Sequence, residues 1–177
     1  LFVAWATTVL IIPWVKKFSH RIGILDQPES RKVHTNPTPR LGGVGIYFGF
    51  VVSSLLVLPI DKLLITIIAG GTLILILGIW DDVKSISPLI KLAFQIAIAG
   101  LTYYFGISIH WISAPDGGFI FLQWLSIPLT IFWIVGLINA INLLDGLDGL
   151  AGGIAAIAAC ILAFVAIQHQ QFLVATL

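Results

Sequence analysis

The chain has 177 residues, 59% of them apolar and 10% charged, with a formal net charge of +1 and a mean hydropathy of +1.07. A water-soluble protein of this length cannot hide that much apolar surface in one core, so lipid is its natural solvent. The single Cys160 lies inside an apolar run, which excludes a disulfide framework and a cysteine-based metal site, and no segment carries a nucleic-acid signal.

A membrane-crossing helix needs about 20 apolar residues. In chain order, Leu1–Val15 is the tail of one span, and Leu41–Pro59, Leu63–Trp80, Pro88–Phe105, Trp124–Ile141 and Leu150–Ile167 are five complete ones. Phe172–Leu177 begins another. The expected fold is therefore all-α, a polytopic transmembrane helical bundle of five complete and two truncated spans in a single membrane-embedded domain. The chain opens and closes inside apolar runs and contains no Met, so the expectation is a piece of a longer protein whose C-terminal spans are missing.

Orientation follows from the basic residues. Six of the nine, Lys16, Lys17, Arg21, Arg31, Lys32 and Arg40, fall in the first connection, which the positive-inside rule places in the cytoplasm. The later connections then alternate: Asp61–Lys62 outside, Asp81–Ser87 inside, Gly106–Gln123 outside, Leu143–Gly149 inside and Gln168–Gln171 outside. The stretch Ile107–Gln123, with Trp111 and an Asp116-Gly117-Gly118 run, reads as an interfacial re-entry with an aromatic anchor. His110 and His169 fall on the outer side, and His20 reads as interfacial.

Sorted by side, the acids segregate. Asp26, Glu29, Asp81, Asp82, Asp145 and Asp148 are cytoplasmic, and only Asp61 and Asp116 lie outside. Adjacent carboxylates at a membrane edge repel one another unless a cation relieves them. Magnesium suits such a place, because it takes one or two protein carboxylates and fills its shell with water and phosphate. The pair Asp81-Asp82 alone is also what a solvated helix end looks like. The run Asn139-Ala-Ile-Asn142-Leu-Leu-Asp145-Gly-Leu-Asp148-Gly is harder to dismiss as helix caps, since polar groups near hydrocarbon are costly and helical spacing makes each the neighbour of the next. In the segment from Arg31 to Gly43, His34, Pro37, Pro39 and Arg40 precede Gly42-Gly43. Backbone amides at that helix start, with Arg40 beside them, suit an anionic group.

Taken together, Pro37-Thr-Pro-Arg40-Leu-Gly-Gly43, Asp81-Asp82 with Ser87-Pro88-Leu-Ile-Lys91-Leu, and the Asn139–Asp148 motif resemble the polyprenyl-phosphate N-acetylhexosamine-1-phosphate transferases. Arg31, His34 and Pro39-Arg40-Leu-Gly-Gly make the chain more similar to the branch that uses UDP-N-acetylglucosamine. The resemblance implies transfer of a sugar-1-phosphate from a UDP-N-acetylhexosamine to undecaprenyl phosphate, with release of UMP, as a first membrane step of cell-envelope glycan synthesis. It implies magnesium, with manganese as a substitute, held by Asp145 and Asp82. Asp81, Asp82 and Asp145 would be catalytic, and Asn142, Asp148, Lys91, Arg40 and His34 would contact substrate. The site would face the cytoplasm of a bacterial membrane, and a homodimer would match the family. A cation-coupled transporter is the rival reading, although ion sites of that kind sit near the bilayer midplane and these acids sit at one edge. A CDP-alcohol phosphatidyltransferase would need an Arg soon after its first Asp-Gly, and none follows Asp145.

Overall fold

The computed structural model describes residues 2–23, 25–26, 38–39, 41–145 and 149–176. Its long elements are helices: α1 Phe2–Ile22, α2 Gly42–Val57, α3 Lys62–Lys84, α4 Pro88–Tyr104, α5 Ser126–Leu144 and α6 Leu150–Gln168, followed by the short α7 Phe172–Thr176. All five complete spans read from the sequence are helical. Three helical stretches, Lys62–Lys84, Gln123–Leu144 (α5 with the 3-10 turn that precedes it) and Leu150–Gln168, are long and apolar enough to cross a membrane, while α2 and α4 are shorter apolar helices of 16 and 17 residues.

Two boundaries differ from the sequence reading, in the same way. α1 runs on through Lys16, Lys17, His20 and Arg21 before Gly23 turns the chain at φ +77°. α3 runs on through Asp81 and Asp82 to Lys84. Hydropathy marks where a helix leaves hydrocarbon, but intrahelical hydrogen bonding continues until a residue breaks it. Beyond α3 that residue is Ser85, held in the left-handed region at φ 47°.

The Ile107–Gln123 connection is corrected. It is a β-hairpin, not a re-entry: β3 Trp111–Ser113 pairs antiparallel with β4 Phe119–Phe121. The run Asp116-Gly117-Gly118 supplies its turn, with Gly117 at φ +84° and the Asp116 side chain accepting from the Gly118 amide at 3.1 Å. Trp111 and Phe119 meet edge to face, with ring centroids 4.5 Å apart. A second small pairing, β1 Leu25–Asp26 with β2 Thr38–Pro39, brings the two arms of the first connection side by side.

Packing is inside-out relative to a soluble protein. The largest fully buried side chains are Gln95, Thr130, Ser19 and Ser126, whereas Phe, Leu, Ile and Trp line the outside of every long helix. Lipid tails are as apolar as leucine, so membrane helices associate through small residues, close contact and interhelical hydrogen bonds. The α1–α2 pair is such a contact. Thr8 donates to the Gly45 carbonyl at 3.2 Å, and a Cβ at Gly49 would fall on Thr8 Oγ1 and lie 2.8 Å from the Ala4 carbonyl oxygen. Tyr47 of α2 bonds Thr72 of α3 across the next interface.

Candidate active site

The site begins with one carboxylate that closes a turn. The Asp81 carbonyl accepts from Ser85 N–H at 2.7 Å, its Oδ1 accepts from Ile86 N–H at 3.2 Å, and its Oδ2 accepts from Lys91 Nζ at 2.8 Å. One residue therefore ends α3, shapes the connection and holds the first charged side chain of α4. The helix starts where it does because Ser87 caps it, accepting from Ile90 N–H at 3.4 Å, and Pro88 follows at the position where a missing N–H costs nothing. Trp80 packs edge to face on Phe94 beside this corner, with centroids 5.6 Å apart.

Lys91 then reaches α5. Its Nζ donates to Asn142 Oδ1 at 3.4 Å, so one ammonium joins the ends of three helices. Both Lys91 and Asp81 are half-buried, at 20% and 26% exposure, deep enough to hold their geometry and open enough to meet a ligand. One turn further along α4, Gln95 accepts from Asn139 Nδ2 at 2.7 Å. Asn139 also donates to the Val135 carbonyl at 2.8 Å. Gln95 is 1% exposed.

These contacts gather one end of the bundle: the C-terminal ends of α3 and α5 and the N-terminal end of α4. Asp81, Lys91 and Asn142 are brought together. Asp82 occupies the last turn of α3, half-buried and engaged with its surroundings. Asp145 is exposed as the C-cap of α5, where the helix ends with its amide bonded to the Ile141 carbonyl at 3.1 Å. The helical spacing expected of the motif thus holds from Asn139 to Asn142 and stops at Asp145. Asp148, Arg40 and His34 lie outside the described residues. Among the described residues, no three acidic, His or Cys side chains converge as a metal cluster.

Sequence reading missed Gln95. Its signal was a lone amide in an otherwise apolar stretch, four residues after Lys91 and so on the same helix face.

Apolar helices joined at one end by an ion pair and an amide ladder define a membrane-embedded protein with a polar working edge. Residues 64–177 match the model of glycosyl transferase family 4, and the chain belongs to that family. It is an integral membrane protein. It is 39% identical over 142 residues to a Bacillus subtilis protein described as a probable undecaprenyl-phosphate N-acetylglucosaminyl 1-phosphate transferase, a match covering 78% of this chain and 39% of that protein. It is 34% identical over 138 residues to a decaprenyl-phosphate N-acetylglucosaminephosphotransferase of Mycolicibacterium smegmatis, covering 71% of this chain and 34% of the relative. A Pasteurella multocida undecaprenyl-phosphate alpha-N-acetylglucosaminyl 1-phosphate transferase is 27% identical over 99 residues, 56% of this chain and 28% of that one. The matched part of the chain spans about two-fifths or less of the length of these relatives. None of these matches supports the transporter alternative.

Proposed function

We propose that the protein of which this chain is part transfers N-acetylglucosamine-1-phosphate from UDP-N-acetylglucosamine to undecaprenyl phosphate or a similar polyprenyl phosphate, releasing UMP. The observation that carries the reading is the Asp81–Lys91–Asn142 contact. It holds a cation at the membrane edge, where a lipid phosphate and a soluble nucleotide can both reach it. In the reaction, an oxygen of the lipid phosphate bonds to the sugar-bearing phosphorus of the donor. The bond from that phosphorus to the UMP oxygen breaks, and UMP leaves with the electron pair.

A phosphate monoester is already largely dianionic at neutral pH, so the acceptor needs positioning and charge neutralisation more than a strong base. Lys91 supplies a point charge for phosphate. Asp81 aims it and keeps it from swinging into the headgroup layer, and Asn142 offers an amide beside it to orient the reacting phosphate. Asp148, Arg40 and His34 remain in the proposal as donor and phosphate contacts, and Asp81 and Asp82 as the groups that manage the acceptor.

The donor set fits magnesium. Asp82 and Asp145, carboxylates at the same end of the bundle, would hold it, and two carboxylates completed by water and substrate phosphate are what that ion takes. Held there, magnesium, or manganese in its place, would supply charge neutralisation on the pyrophosphate. The working end faces the cytoplasm of a bacterial membrane in this reading, which the basic residues between Lys16 and Arg40 support, and the whole protein is compatible with a homodimer.

The test uses the full-length protein in detergent, following UMP release from UDP-N-acetylglucosamine. Release that depends on the lipid phosphate, on the divalent ion and on Asp145 is expected. No release from any UDP-amino sugar by folded protein would overturn the reading.

A further inference from the structure

We propose that Gln95 and Asn139 are a positioning pair, setting the register of α4 against α5 so that Lys91 and Asn142 meet at the acceptor phosphate; the proposal rests on the transferase reading above. The two helices carry an antiparallel ladder with two rungs. Lys91 and Gln95 lie four residues apart on one face of α4, and Asn139 and Asn142 three apart on one face of α5, so 91 pairs with 142 and 95 with 139. The rungs differ in kind. The outer one is long, at 3.4 Å, and exposed. The inner one is short, at 2.7 Å, and roughly 6 Å further along the α4 axis.

Gln95 is 1% exposed and the largest fully buried side chain described. A buried amide is costly unless it is bonded, whereas an apolar side chain would fill the same space without that requirement. What the amide adds is direction. The Val135 carbonyl can only accept, which fixes Asn139 Nδ2 toward it. The second Nδ2 proton then goes to Gln95 Oε1, so both amides have one orientation rather than two. Sliding α4 by one turn, or rotating it by one residue, breaks this match and strands the buried Gln95 amide and the half-buried Asn139 amide. The long outer rung cannot impose such a register. It is instead placed to open, letting Lys91 exchange the Asn142 oxygen for one on phosphate while the inner rung keeps both helices in place.

The pair is thus expected to act on turnover through Lys91 and Asn142 and to leave donor binding alone. The experiment compares kcat and KM of the full-length protein with those of Gln95→Leu, Asn139→Leu, the double variant and Gln95→Glu. The expected result is a Gln95→Leu kcat lower by roughly 10- to 100-fold, the range lost when a group that orients a site residue is removed, with KM for UDP-N-acetylglucosamine within about twofold. The double variant should be no slower than the slower single one, as coupled partners behave. Gln95→Glu, in the neutral acid form that so dry a site imposes, keeps a carbonyl oxygen at the same reach for Asn139 Nδ2, and should recover most of the rate. Should Gln95→Leu fail to fold, Gln95→Met, close to glutamine in length, replaces it against Gln95→Glu. An active wild type with unchanged kcat in the apolar variant overturns the pair alone, as does a glutamate variant no better than leucine or a loss carried by KM. A folded wild type that releases no UMP overturns the transferase reading and the pair with it.

Discussion

Asp81 and Lys91 differ from the other candidate residues because each has geometry that a single substitution removes. Lys91→Met should lower UMP release by roughly 100-fold or more, the scale on which lost charge stabilisation is felt in a dry or half-dry site. Asp81→Asn should be milder, since an amide oxygen still accepts from Ile86 N–H and holds the turn while the ion pair with Lys91 is weakened. Steady-state release under saturating donor checks both. At this scale the sequence revealed the participants but not the partnership. Asp81, Lys91 and Asn142 stood out as polar residues at a membrane edge, yet their contact spans fifty-one residues of chain between Lys91 and Asn142. Only the antiparallel packing of α4 and α5 brings that about. Gln95 went unread because a lone glutamine in an apolar run is as compatible with a lipid-edge position as with a dry interface, and only its burial tells the two apart.

Most of the helices were legible to within a few residues, because hydropathy over a span is a strong signal and caps punctuate it; α1 is the exception, running on past Val15 to Ile22. Asp61 illustrates the punctuation. Its side chain accepts from Leu64 N–H at 2.8 Å and starts α3 at the end opposite the working edge. Asp61→Ala should cost about 1 kcal/mol of stability, read as a lower thermal midpoint in detergent, with UMP release at ordinary temperature unchanged. The α1–α2 contact gives a matched pair of outcomes. Gly49→Ala forces a methyl onto Thr8 and the Ala4 carbonyl, an overpacking of about 1–3 kcal/mol, whereas Gly43→Ala meets nothing within 4 Å and should leave the midpoint where it is. The hairpin escaped notice for a reason that belongs to elements. Strands of three residues, exposed on both faces, show neither a hydropathy peak nor a buried alternation, and only the glycine turn between them betrays the pairing.

Across the whole molecule, the arrangement of basic residues and the direction of each helix make one topology. The C-terminal ends of α3 and α5 and the N-terminal end of α4 share one side, and the hairpin lies on the other. Cys160 is the only cysteine of this chain, and replacing it together with any other cysteine of the full-length protein by alanine gives a background for single reporters. In intact cells, an impermeant maleimide should label Asp116→Cys, at the hairpin turn, and should reach Ser85→Cys only once the membrane is opened. The opposite pattern would invert the bundle and take the proposed UDP-sugar donor away from Lys91.

The shortness of α4 has a consequence for the membrane as a material. Its 17 residues rise about 26 Å, and the stretch beyond Lys91, from Leu92 to Tyr104, only about 20 Å, against a hydrocarbon thickness of about 30 Å. Thinning of the lipid around the short helix is one way such a mismatch is met, beside snorkelling of flanking residues and oligomerisation. Thinning at Lys91 would bring lipid phosphate groups toward it without any lipid leaving the bilayer. In vesicles of progressively longer acyl chains, that thinning costs more to hold, and transfer to the same acceptor should slow several-fold while the protein remains folded. Membrane thickness thereby becomes a variable of the reaction, set by how far one helix falls short.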